Sequence, residues 1–253
     1  MRIQFASDLH LEFADNWRFL KQHPLEKTGD ILVLAGDIGY LGDDNYMTHP
    51  FWDMVAEQYE QVLVVPGNHE FYKFYDIATL KDGELIQIRP NVKVYYNAVV
   101  AIGGVELILS TLWAHIPLQE AFATESGVTD FHRIMFGDNT LSFADFNKEH
   151  DRCVSFLKKA CLSAKAPHRV IVTHHVPSFM LSSADFKGSR INGAFVSEMY
   201  DFIETCGADY WIYGHSHRNI DHLIGKTQCV SNQLGYVFSG EHGSFNPGRY
   251  IEL

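Results

Sequence analysis

Five polar clusters, each closing an apolar run, hold the side chains of this chain that could do chemistry. Asp8-Leu9-His10 stands near the start and Gly214-His215-Ser216-His217 near the finish. Between them lie Gly36-Asp37, Gly67-Asn68-His69-Glu70 and Thr173-His174-His175. The residue types are Asp, Asn and His without Cys, which argues against a structural thiolate zinc site. Imidazole together with carboxylate and amide oxygens suits divalent ions such as Mn, Fe or Zn. Two such ions about 3.5–4 Å apart need a carboxylate between them, and Asp37 is the candidate bridge. The pair would polarise a phosphoryl oxygen and bring the pKa of a shared water from about 15.7 toward about 7, making a bridging hydroxide that can attack phosphorus in line. The leaving alkoxide then needs a proton, and His69, beside Asn68, is placed to give it. Taken singly, Asp8 and His10 would fit a solvated turn, and Asp37 a helix N-cap. All five clusters, in order and each at a strand end, predict a two-metal hydrolytic site.

The elements that must carry these clusters are strands. In open α/β sheets, ligands bind beyond the carboxyl ends of the strands. Runs at Arg2–Ser7, Asp30–Ala35, Gln61–Val65, Arg169–Thr173 and Asp209–Tyr213 read as such strands. The run Asp30–Ala35 is apolar on both faces, which predicts a central strand covered by helices on both sides. Helices are expected around Phe51–Gln61, over Ser142–Ala164 with Ser142 as N-cap, and over Phe195–Thr205. Asn91–Leu109 reads as antiparallel strands with tight turns at Asn97 and Gly103-Gly104. Asn219–Ser231 reads as a hairpin around Gly225-Lys226, where glycine at the first turn position suits a type II′ turn. The aromatic-rich stretch Trp113–Asn139 is long for a plain loop and is expected to be functional or to contain short helices.

Composition narrows the function classes. The 253 residues fit one α/β domain over 1–253, and 46% hydrophobic residues argue against disorder. No apolar stretch approaches the roughly 18 residues of a membrane span. The net charge is −11, with no block of Lys and Arg. A protein that tracks a nucleic-acid backbone normally shows a basic stripe. The expected partner is therefore a small phosphate ester, and not a membrane or a nucleic-acid polymer. Cys153, Cys161, Cys206 and Cys229 form no CxxC pair, which suggests reduced thiols. The opening residues already read as a strand, leaving no room for a signal peptide, so a cytoplasmic location is expected.

The motif order Asp8-x-His10, Gly36-Asp37, Gly67-Asn68-His69-Glu70, His174, Gly214-His215-x-His217 resembles the calcineurin-like metallophosphoesterases, in particular small bacterial or phage-type phosphoesterases, over roughly residues 1–220. The resemblance implies a four-layer αββα sandwich, with two mixed β-sheets packed face to face and helices outside. It implies that Asp8, His10, Asp37 and His217 hold one metal and that Asp37, Asn68, His174 and His215 hold the other. His69 would be the catalytic acid, with Glu70 a possible orienting residue. Only one of the adjacent His174 and His175 should be a ligand. His174 directly follows the strand, and alternation would turn His175 the other way.

Departures from the family pattern restrict the substrate. The Ser/Thr protein phosphatases carry arginines in GDxxDRG and RGNHE. Here the corresponding stretches read Gly36-Asp37-Ile38-Gly39-Tyr40-Leu41-Gly42 and Pro66-Gly67-Asn68-His69-Glu70. A bidentate arginine clamp is hard to replace, so a protein-phosphatase role is disfavoured. His132 and Arg133, within Asp130-Phe131-His132-Arg133, are candidate substrate contacts, and Arg190 is another possible cation. Loss of the two arginines favours diesters over monoesters, because a diester has one less charge to clamp. Two other functions compete with the hydrolase: a non-catalytic scaffold on the same fold, and a nuclease component.

Overall fold

A computed structural model describes all 253 residues. In chain order the strands are β1 (Arg2–Ala6), β2 (Ile31–Ala35), β3 (Gln61–Val65), β4 (Tyr75–Asp76), β5 (Gly83–Arg89), β6 (Val92–Tyr96), β7 (Ala98–Ile102) and β8 (Val105–Ser110). They continue with β9 (Ile134–Phe136), β10 (Asn139–Thr140), β11 (His168–Thr173), β12 (Tyr210–Tyr213), β13 (His222–Ile224), β14 (Thr227–Ser231) and β15 (Tyr250–Glu252). The helices are α1 (Ala14–Gln22), α2 (Pro50–Gln58), α3 (Ala121–Gly127), α4 (Asp130–Arg133), α5 (Phe143–Ser163) and α6 (Tyr200–Thr205).

The run Ile31-Leu32-Val33-Leu34-Ala35 is buried throughout because its two faces meet different partners. Ile31, Val33 and Ala35 pack with Leu107, Leu109, Val170, Val172 and Ile212 of a second sheet. Leu32 and Leu34 pack with Leu20 of α1 and Phe51, Trp52 and Val55 of α2. Helices therefore cover only one face of β2. The expectation of helices on both faces is corrected, because a doubly apolar strand looks the same in sequence whether its far face meets a helix or another sheet. The second sheet mirrors this arrangement. Ile171 and Trp211 turn outward onto Phe146, Cys153 and Leu157 of α5 and Ile203 of α6. Helix, sheet, sheet and helix thus form the four layers of an αββα sandwich. Each fully buried Val, Leu or Ile gains about 1.5–3 kcal/mol over exposure, so the layer between the sheets holds together the strands whose ends carry the site.

Both six-stranded sheets are mixed. The first runs β15-β1-β2-β3-β6-β5 and the second β13-β14-β12-β11-β8-β7. In the first, β1, β2, β3 and β6 are parallel, with β15 and β5 antiparallel at the edges. In the second, β14, β12, β11 and β8 are parallel, with β13 and β7 antiparallel at the edges. The short strands β10-β9-β4 form a separate small sheet.

Several local expectations meet the structure directly. Ser142 caps α5, its hydroxyl accepting from the Asp145 amide at 3.2 Å. Gly103 and Gly104 both have positive φ, as a type I′ turn requires between β7 and β8. At the β13–β14 hairpin only Gly225, of the two central residues, has positive φ, as type II′ requires.

Others are corrected. Asn97 does not turn a hairpin: β6 lies in the first sheet and β7 in the second, so the chain crosses between sheets there. The Asn97 carboxamide holds this corner by accepting from the Ser110 hydroxyl at 2.7 Å. Of the helix expected over Phe195–Thr205, only Tyr200–Thr205 is helical. The preceding backbone is taken by pairing with the loop after β11, through Ser197 N–H to Val176 O at 2.8 Å and Met199 N–H to Pro177 O at 3.0 Å. Trp113–Asn139 holds α3, α4 and β9. The four cysteines are free thiols, and no helix is long and apolar enough to cross a membrane.

Candidate metal centre

Asp8 and His10 follow β1, Asp37 follows β2, Asn68 and His69 follow β3, His174 follows β11, and His215 and His217 follow β12. The face-to-face sheets bring these five strand ends to one rim. The turns there are unusually tight. Asp8, His10, Asp37, His215 and His217 all have φ between +48° and +75°, and they make up five of the nine non-glycine residues with positive φ. Such conformations cost on the order of 1–3 kcal/mol each and persist only where the surroundings impose them.

The surroundings here are cross-braces between the turns. His10 N–H donates to Asp37 O at 2.9 Å, Gly214 N–H to His174 O at 2.9 Å, and His215 N–H to Asp8 Oδ1 at 3.0 Å. Buried Glu70 ties two loops together by accepting four amides, from Asp37 (2.8 Å), Ile38 (2.7 Å), Gly39 (3.2 Å) and Gly67 (2.7 Å). Burial and the nearby Asp37 push its carboxyl up, to about 7, while the donated amides oppose that shift. The motif glycines are needed for space. A Cβ on Gly67 would lie 2.2 Å from Asp37 Oδ1, and one on Gly36, at φ +91°, would lie 2.3 Å from His174 Nδ1.

The donor atoms converge so that lone pair faces lone pair. Glu12 and Glu241 are ionised and can only accept, so His10 donates through Nδ1 to Glu12 at 3.0 Å and His217 through Nδ1 to Glu241 at 2.7 Å. In the neutral rings this leaves both Nε2 atoms as acceptors, yet they sit 3.0 Å apart, with Asp8 Oδ1 at 3.4 Å from His217 Nε2. A second set repeats the conflict. His174 donates through Nδ1 to Ala35 O at 2.9 Å, so its Nε2 lone pair points at Asn68 Oδ1 (3.1 Å) and Asp37 Oδ1 (3.4 Å). Asn68 turns that oxygen inward because its Nδ2 donates to Asp130 Oδ1 at 2.9 Å. His215 joins this set, its Nδ1 lying 3.1 Å from His174 Nε2.

Asp37 stands between the sets. Its Oδ2 is 3.9 Å from His10 Nε2, and its Oδ1 faces His174. Within Asp8, His10 and His217, and within Asp37, His174 and His215, the ligand atoms all lie within 4.8 Å of one another. Clustered acceptors of this kind fit cations, and the mix of imidazole and oxygen donors fits divalent ions of the Mn, Fe or Zn kind.

In the metal-free protein, protons relieve the same conflict. Burial disfavours charge on His217, but hydrogen bonds to Asp8 and Glu241 outweigh it and raise the ring to about 10. Burial is likewise outweighed at His174, where Asp37 raises the ring to about 9. His215 has no carboxylate partner, and burial with the neighbouring His175 and His174 pushes it well down. His10 is lowered by burial despite Glu12, so it stays neutral beside an ionised carboxylate.

His69 lies beside the first set. Its Nδ1 contacts Glu12 Oε1 at 2.8 Å, and its Nε2 lies 4.0 Å from Asp37 Oδ2 and 3.4 Å from the Tyr236 hydroxyl. Burial opposes its charged form, but Asp37 and Glu12 win and raise it above the usual histidine value. His175 packs between Trp113, Phe146 and the ring of His215, whose centroid is 4.3 Å away, and its Nδ1 faces Thr111 O at 3.3 Å.

The site opens into a cavity of about 610 Å³ lined partly by Phe13, Tyr40, Arg133, Phe186, Phe195 and Tyr236. Arg133 is exposed on its wall and makes no salt bridge within 4 Å. His132 and Arg190 do not line the cavity, and His132 Nε2 lies 3.4 Å from Ser126 O instead.

No motif in the sequence marks Glu12, Asp130, Tyr236 or Glu241 as part of the site. The Tyr236 ring in fact packs on His10, His217 and Phe13 over the cluster. Glu12 could have been suspected from its spacing, two residues after His10.

The calcineurin-like phosphoesterase family matches residues 1–219. An uncharacterised protein of Acanthamoeba polyphaga mimivirus is 28% identical over 283 aligned positions, covering 100% of this chain and 97% of that protein. Among solved structures, phosphopantetheinyl hydrolase from Mycobacterium tuberculosis superposes with a TM-score of 0.73 at 17% identity, covering 98% of this chain and 95% of that one. TT1561 of Thermus thermophilus follows with a TM-score of 0.51 at 13% identity, covering 92% and 88%. These structural likenesses are of fold. With its motifs intact over the matched span, the chain belongs to the calcineurin-like phosphoesterase family.

Proposed function

We propose that this protein hydrolyses a small-molecule phosphate ester, a diester in preference to a monoester, with two divalent cations. Asp8, His10, Asp37 and His217 would hold one ion, and Asp37, Asn68, His174 and His215 the other. The observation that carries this reading is the pair of acceptor-against-acceptor clusters meeting at the two oxygens of Asp37. When bound, such ions supply Lewis-acid charge to phosphoryl oxygens and acidify water enough for it to act as a nucleophile.

The chain's own residues would do the rest. His69, held through Nδ1 and raised above its ordinary value, keeps a proton on Nε2 to deliver to the leaving oxygen. Arg133 offers an unpaired guanidinium to an anionic oxygen of the substrate. Phe13, Phe186 and Phe195 bound space for an organic group and keep water from it. One guanidinium in place of two suits the single charge of a diester. The free thiols support a reducing, cytoplasmic setting. Pairing of β15 with β1 supports one domain over the whole chain.

The test is elemental analysis of the purified chain beside turnover of bis(p-nitrophenyl) phosphate, p-nitrophenyl phosphate and a phosphopantetheinyl diester in manganese. The last is included because one fold neighbour is a phosphopantetheinyl hydrolase. Two ions per chain, with activity lost to EDTA and restored by manganese, is the expected result. A chain that retains no metal and turns over none of the esters is a scaffold instead.

A further inference from the structure

One buried carboxylate is shared between the two functional classes of imidazole. Glu12 follows the ligand His10 by two residues, and its side chain is only 7% exposed. Its Oε1 lies 3.0 Å from Nδ1 of His10 and 2.8 Å from Nδ1 of His69. The two rings hang from that oxygen with centroids 4.5 Å apart at 67°. Their far nitrogens converge on a second oxygen, Asp37 Oδ2, at 3.9 Å for His10 and 4.0 Å for His69.

A ring pinned at Nδ1 cannot flip, so its Nε2 is held toward the centre. Glu12 Oε2 is buried without a hydrogen-bond partner. A buried carboxylate oxygen without a partner is costly, which argues against Glu12 being kept for packing alone.

We infer that Glu12 is the positioning residue of the acid: it holds His69 with Nε2 toward the leaving oxygen through the same oxygen that orients the ligand His10. This inference rests on the phosphoesterase reading. Glu12 touches no reacting atom, and its effect passes through His69. A glutamine keeps the shape but not the charge, and an aspartate keeps the charge but is too short to reach both rings.

The test uses the full chain saturated with manganese, its metal content checked by elemental analysis, and two diesters. One releases p-nitrophenol, which leaves without a proton; the other releases a simple alcohol, which needs one. Any loss that Glu12→Gln causes through His10 falls on both substrates alike. The share due to His69 appears only as an extra loss on the alcohol ester, expected at about 10- to 100-fold in kcat, as for other residues that orient a functional histidine. That extra loss should vanish in a His69→Ala background, and Glu12→Asp should reproduce it should the glutamine variant fail to fold.

A second readout needs no activity. In the metal-free protein, the downfield Nδ1–H proton resonance of His69, assigned by its absence in His69→Ala, should shift or disappear in Glu12→Gln. An unchanged ratio between the two esters, or an unmoved His69 resonance, overturns the inference while leaving the phosphoesterase reading intact. No turnover by the unaltered chain would overturn both.

Discussion

The two candidate ligand sets meet at Asp37 but are held in different ways. In the set of Asp8, His10 and His217, each imidazole is fixed from behind by a carboxylate, Glu12 or Glu241. In the set of Asn68, His174 and His215, a backbone carbonyl holds His174, Asp130 holds Asn68, and His215 leans on the Phe195 ring at 4.8 Å with its Nε2 unpartnered. A partner behind a ligating imidazole orients it and raises its basicity, and a charged carboxylate does so more strongly than a neutral carbonyl. The contrast predicts a tighter, more proton-competitive first position and a more exchangeable second one.

Removing the shared group should have the largest effect. Asp37→Ala takes an oxygen from both sets and should lower turnover by about 10³-fold or more, given the several kcal/mol that metal charge stabilisation contributes. Elemental analysis of that variant should show both ions weakened.

Glu241→Gln acts on one set only. It should weaken one ion by about 10- to 100-fold while the other is retained, read from manganese titration. Equal weakening of both ions would break the comparison.

In the metal-free chain the same contrast becomes a pH dependence of stability. His217 is raised to about 10 and His174 to about 9, each above the unfolded value of about 6.5. A group raised on folding contributes its full stabilisation below the unfolded pKa and loses it as pH rises through the folded one. Urea unfolding in EDTA should therefore show stability falling between about pH 6.5 and 10. His217→Gln should flatten the curve, and bound manganese, which replaces the protons, should reduce the fall. A profile that stays flat in the unaltered protein would remove the proton competition.

The smallest effect is expected at the cavity wall. Arg133→Ala should raise KM by about tenfold, the loss of one charge-assisted hydrogen bond, with metal content unchanged.

Much of the candidate centre was legible because the residues proposed as ligands sit directly after buried strands. A run such as Gln61–Val65 followed by Pro66-Gly67-Asn68-His69-Glu70 marks both the strand and what lies at its end. The residues that support the ligands were not legible in the same way. Tyr236 and Glu241 lie in a stretch of short turns between β14 and β15, beyond the residues that match the family. They reach the cluster only because β14 pairs with β12 and β15 with β1. Asp130 sits at the start of a four-residue helix, where an acidic residue usually means no more than a favourable helix terminus. Strand β5 was missed because Gly83–Arg89 is a bulged, mostly half-exposed edge without clean alternation.

Residue type, order and strand-end position were enough to mark the five clusters that contain Asp8, His10, Asp37, Asn68, His174, His215 and His217 as one candidate site, because metal chemistry needs such donors and a strand's end is a local property of the chain, while the choice of single residues within the clusters came from the family resemblance. Which face of β2 meets a helix and which meets a sheet, that Asn97 crosses between sheets, and that Glu12 and Glu241 stand behind particular rings were settled only in the folded chain. These are contacts between distant segments, and neither hydrophobic period nor motif spacing records which segments pack against one another.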